Sequence, residues 1–272
     1  MIYVDAHVHI HEDVNLDMLL ASAVQNFQRA EEHFSGSVNQ SSQYVMCLTE
    51  IQAVGKFQEL KSRSKAAEAQ ACLWQISATR EDDSLVAVHP DFGELIIIAG
   101  RQIVTSEKLE VLALGTDKPI PDGNSISDII NAVQGLDALA VIPWGFGKWI
   151  GRRGAVLDRV LRKSYHQPIF LGDNSGRPKH WRQPPHFLEA RKRGMRILPG
   201  SDPLPFPSEF KRIGSFGFVM EDSVSSSNAS ADLKRLLLDE KRAVHTYGQL
   251  ENPFRFMRNQ IAMQYRIRKE RR

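Results

Sequence analysis

The stretch "IYVDAHVHIH", residues 2–11, ends its apolar run on three histidines at alternate positions: His7, His9 and His11. On a strand, successive side chains point to opposite faces, so the three imidazoles project to one side while Val8 and Ile10 project to the other. Nine histidines in 272 residues would give about 0.3 chance His-x-His pairs. Three in alternation at the exit of a first strand, with Glu12 and Asp13 following, are therefore read as metal-ligand geometry. His11 and Glu12 have a second reading, as the start of a loop that caps the next helix.

Outward from that strand, residues 16–34 carry apolar side chains at helical spacing, and "SGSVNQSS" stops the helix. Residues 44–48 read as a short strand, 52–62 as a helix and 71–76 as another apolar segment. Around residues 85–115 the rhythm changes to β-rich runs separated by "HPDFG" and "VTSEK", with no room for helices, which predicts a hairpin or meander insertion. The alternation then resumes with "SISDIINAVQGL" as helix and "ALAVIPWG" as strand. It continues through "AVLDRVLRK", "PIFLGDN", "HFLEARKRG" and "MRILPGSD". Alternating β and α over most of the chain suits a parallel barrel or a doubly wound sheet, and in either the chemistry gathers at strand C-termini. "DAHVHIH", "FLGDN" and "LPGSD" are the polar-ended strands that fit this rule. "LKRLLLDEKRAVHTYG" reads as helix, and the chain is expected to be one domain, 1–272, with a basic helical extension from about residue 233.

Composition sets outer bounds. A hydrophobic fraction of 42% suits a sizeable core, and a net charge of +3 is too small to argue for nucleic acid by itself. Seven Lys or Arg against one acid in the last 21 residues make nucleic acid or an acidic partner the sharper alternative for the tail, with a solvated end as the default. Two cysteines, Cys47 and Cys72, suit buried thiols in a reducing compartment. No basic leader or membrane-length apolar run occurs, so the expectation is a cytoplasmic protein without membrane contact.

The order of segments resembles the PHP family, the polymerase and histidinol phosphatase hydrolases. "DAHVHIH" falls where that family opens on His-x-His, and "LTEIQAVGKFQEL" is similar to its second motif. "IIAGRQIVTSEKLEVLALG" resembles its Gly-x-Glu segment, "IPWGFG" a strand ending in His-Pro, and "GSDPLPFPSEFKRIG" its closing Gly-Ser-Asp-x-His segment. The resemblance implies a distorted TIM-like (βα)7 barrel with metal held by His7, His9 and Asp202. It also places Glu50 and Gln102 at ligand positions. Gln102 stands where a bridging Glu is expected, and Ile51, Pro143 or Trp144, and Leu204 stand where histidines are expected. Neutral Gln cannot bridge two cations, so the expectation is one ion, Zn²⁺ or Mn²⁺.

On this reading the chain is a phosphoesterase-like hydrolase acting on a small phosphorylated or acidic substrate. His11 and Asp173 are candidate catalytic groups, and Arg101, Lys148, Arg152 and Arg177 are candidate substrate-binding cations. Two alternatives stand beside it: a barrel without catalysis that binds such a ligand, and an amidohydrolase-type hydrolase. "GFGKWIGRRG" matches no nucleotide-binding glycine motif, and Ser175 is not in a nucleophile elbow.

Overall fold

The computed structural model describes residues 1–11, 14–39, 41–51, 55–64 and 73–270. Cys72, Glu12 and residues 52–54 of the second motif lie outside them.

Two mixed sheets form the frame. β1 (Ile2–Val8), β2 (Gln43–Leu48) and β5 (Gly93–Ile98) run parallel at the middle of a seven-stranded sheet. β11 (Phe216–Met220) and β12 (His245–Gly248) flank them antiparallel on one side, and β4 (Ser84–His89) and β3 (Gln75–Ala78) on the other. The second sheet, five-stranded, has β10 (Ile197–Gly200), β9 (Phe170–Asn174) and β8 (Leu139–Pro143) parallel, then β7 (Glu110–Leu114) and β6 (Gly100–Val104) antiparallel.

The expected (βα)7 barrel is therefore not formed: the chain makes two separate sheets and no closed barrel. The alternation of β and α cannot distinguish one closed sheet from two, because each strand needs only a covered face in either. Nor is the 85–115 region an insertion. β4–β5 and β6–β7 are hairpins belonging to different sheets, so the chain changes sheets between Ile98 and Gly100. A Cβ at Gly100 would lie 2.2 Å from the Leu48 carbonyl oxygen, so only glycine permits that approach.

Helices α1 (Leu16–Ser35) and α2 (Lys56–Arg63) pack Leu19, Phe27 and Phe57 on the outer face of the larger sheet. Helices α3 (Ile126–Gly135), α4 (Arg152–Arg162) and α5 (Pro185–Lys192) do the same for the smaller one with Ile130, Leu157 and Phe187. A third cluster, including Val4, Ile98, Val141, Phe170 and Phe218, fills the space between the sheets, and Leu233 and Leu236 of α6 (Ala229–Leu238) join it. The stretch expected as one helix from residue 233 divides into α6 and β12, followed by α7 (Pro253–Glu270). Among the described residues no helix is long and apolar enough to cross a membrane.

The sheets touch at two seams. At one, the Glu50 N–H donates to the Gly100 carbonyl and the Gln102 N–H to the Glu50 carbonyl, 3.1 and 2.8 Å. At the other, the Asp202 N–H donates to the His7 carbonyl at 2.8 Å.

Candidate metal centre

The candidate centre lies where both seams meet the C-terminal ends of the parallel strands. β1 carries His7, and the β1–β2 register shifts between Asp5 and Val8, a local irregularity of the kind that re-aims a side chain. His9 follows just beyond the strand, since β1 ends at Val8 rather than at Ile10 as the apolar run suggested. Asp202 comes from the turn after β10 and holds a left-handed φ of 47°, a conformation Asp tolerates better than most residues. Gly200 makes that approach feasible, because a Cβ there would lie 2.4 Å from the His7 nitrogen.

Their donor atoms converge. His7 Nε2 is 3.0 Å from His9 Nε2 and 3.1 Å from Gln102 Oε1. Asp202 Oδ1 is 3.5 Å from the first nitrogen and 3.6 Å from the second. Donors at 2.0–2.2 Å from one ion lie roughly 2.8–3.1 Å apart at right angles and roughly 3.3–3.6 Å apart at tetrahedral angles, so these spacings suit the donors of a single divalent cation. His7, His9 and Asp202 are the one such group of three among the described residues. The electrostatics agree with the geometry. Burial, reinforced by His7, pushes the His9 imidazole down to about 3, so it is neutral, as a ligand must be. Burial would raise Asp202, but the positive charge near it, that of Lys148 and Arg212 included, holds its carboxyl below the usual range.

Supporting contacts fix the donors. Asn174 Nδ2 donates to Asp202 Oδ2 at 2.8 Å and to the Trp144 carbonyl at 2.9 Å. The buried Asp5 carboxylate accepts from the backbone N–H groups of His7, Ser201 and Gly214, tying three segments around the centre. Arg212 Nη2 donates to Ser175 Oγ at 2.8 Å, and Ser175 Oγ donates to the Ser201 carbonyl at 2.5 Å. Sequence reading missed Arg212 and Asp5. "DAHVH" does place an acid two residues before the first ligand, but nothing in the sequence reveals that it binds backbone 196 and 209 positions away.

The other candidates are placed as follows. His11 Nε2 donates to the Pro203 carbonyl at 2.9 Å and does not join the cluster. Glu50 is buried; Oε1 accepts from the Phe57 N–H at the start of α2, and Oε2 pairs with Arg101 Nη1 at 3.4 Å. Arg101 also donates to the Asp117 carbonyl from Nε and Nη2. Asp173 and Arg177 form a buried two-pronged pair, with Nε–Oδ1 at 2.8 Å and Nη2–Oδ2 at 2.7 Å. Lys148 pairs with Glu110. Arg152 begins α4 and is exposed.

No protein-family model matches the chain, and no curated protein matches it. PsfC from Pseudomonas syringae PB-5123 has a similar fold. Its structure aligns with a TM-score of 0.55 at 16% identity, over 96% of this chain and 97% of that one. A structure of endonuclease Q in complex with a 27-mer duplex substrate, with an abasic lesion at the active site, aligns at 0.48 and 11% identity, over 87% of this chain and 55% of that one. The lesion-specific endonuclease PfuEndoQ from Pyrococcus furiosus aligns at 0.47 and 13%, over 89% and 57%. The likeness is one of fold. Two of these three structures are endonucleases, one holding a duplex, which runs against the expectation of a small phosphorylated or acidic substrate with nucleic acid a lesser alternative.

Proposed function

We infer that the chain is a metal-dependent hydrolase of phosphoesters. The observation that carries the reading is the convergence of His7, His9, Asp202 and Gln102 at spacings matching one ion's coordination shell. A divalent ion held there supplies Lewis acidity and lowers the pKa of water. The chain's own residues do the rest. His7 and His9 offer ring nitrogens, Asp202 a carboxylate and Gln102 an amide oxygen, a mixed set suiting Zn²⁺ or Mn²⁺. Lys148 and Arg212, whose charges already act on Asp202, favour the negative charge that develops on a phosphoryl group under attack. Because Glu50 and Asp173 are committed to guanidinium groups, the arrangement supports one ion rather than several. The amidohydrolase alternative needs two further histidines, and among the described residues no other imidazole joins the group.

Metal analysis tests this. Protein stripped with chelator and reloaded with Zn²⁺ or Mn²⁺ should hold one equivalent per chain and cleave an activated phosphodiester such as bis(p-nitrophenyl) phosphate. His7→Ala and His9→Ala should lose both properties. Wild-type protein that binds no stoichiometric metal would end the hydrolase reading.

A further inference from the structure

Charge is spread very unevenly along this chain. Three stretches, residues 144–153, 177–184 and 253–269, hold 11 of its 35 Lys and Arg and none of its 32 Asp and Glu, leaving 24 cations against 32 acids elsewhere. The fold brings these acid-free stretches together. Phe146 from the first, Trp181 from the second and Phe256 from α7 form a triangle of rings with centroids 5.2–5.6 Å apart. Phe256 is 4% exposed, whereas Phe146 and Trp181 are 50% and 47% exposed, so one buried ring supports two that face solvent. Along α7, the exposed Phe254, Met257, Ile261 and Tyr265 recur at steps of three and four, which is one helix face. Arg258 and Arg268 fall on that same face by the helical repeat. Six exposed cations of the set, Arg152, Lys179, Arg182, Arg258, Arg268 and Lys269, have no acidic partner among the described residues.

We propose that this ridge binds single-stranded nucleic acid, with bases stacking on Phe146 and Trp181 and phosphates meeting the unpaired cations. Exposed rings beside cations, with acids excluded, are what a strand with open base faces and a charged backbone requires. A duplex hides those base faces. A lipid surface would require cations segregated from the apolar stripe, whereas on α7 they are interleaved with it. The ridge also adjoins the candidate metal centre. Its first stretch begins at Trp144, whose carbonyl accepts from the Asn174 amide that holds Asp202.

Trp181 is the exposed tryptophan and the other three are buried, so stacking reads out as fluorescence quenching. Oligothymidylate titrated into the full chain in EDTA should quench that fluorescence, and affinity should fall at least about tenfold on raising salt from about 50 to 200 mM. Phe146→Ala and Trp181→Ala should each weaken binding by about fivefold or more. Arg258→Gln and Lys269→Gln, both at exposed sites, should each lower the salt slope by about 1. Absence of binding at low salt, or binding indifferent to all four changes, overturns the proposal. So does adsorption to phosphatidylserine vesicles by a protein that ignores the oligonucleotide. Because the assay excludes metal, this result and the metal analysis succeed or fail independently.

Discussion

Asp173 and Asp202 stand at the C-terminal ends of adjacent parallel strands, β9 and β10, yet their surroundings give them opposite roles. Asp173 meets a guanidinium fork that takes both its oxygens and buries with it. Asp202 meets two imidazoles and an amide, with one oxygen held by Asn174 and the other facing the nitrogens. Both are carboxylates on one edge of one sheet. What separates them is whether the neighbour is a permanent cation or a pair of imidazoles.

The sharpest way to break this contrast is Arg177→Met. It strands the buried Asp173 carboxylate, which should cost about 3–5 kcal/mol in denaturant unfolding while metal content stays at wild-type level. Loss of metal together with stability would mean that the two aspartates act as one unit. Next in size, Asn174→Ala should weaken metal affinity by about 10- to 100-fold, because it releases Asp202 from its orienting donor; a competing chelator reads this directly. Glu50→Gln should leave metal content unchanged and cost about 1 kcal/mol or less, since the amide oxygen still accepts from the Phe57 N–H.

A third kind of carboxylate yields the smallest effect. Burial raises Asp83, opposed by its bond from Ser230. The native state thus binds this proton more tightly than the unfolded chain does. Its contribution to stability should decline as pH rises from about 4 through the raised native value. Asp83→Asn should flatten that part of the unfolding profile.

How much of this was legible depended on distance along the chain. The His-x-His alternation places His7 and His9 near each other by local geometry, and their nitrogens are 3.0 Å apart. Helix α1 starts where the apolar repeat predicts, because Asn15 caps it by accepting from the Met18 N–H. The sheet change near Gly100 was hidden, since two hairpins in one sheet and two in different sheets share the same β-rich pattern. Equally hidden was the fate of Glu50 and Asp173. A strand-end acid reads as a ligand until Arg101 or Arg177 is seen in its hydrogen-bonding plane. Arg212 gave little local sign: beside Glu209 three residues before it, its partners Ser175 and Glu251 lie 37 and 39 residues away.

Asp202 sits at a positive φ, and that restricts what can ever replace it. Glycine relaxes the backbone there but brings no ligand; asparagine keeps the shape but gives up the negative charge. Bulkier or branched residues would meet a conformational cost of roughly 1–2 kcal/mol before any chemistry is considered. Relatives that have abandoned the ion should therefore carry Gly or Asn at this turn, a signature readable from sequence without any assay.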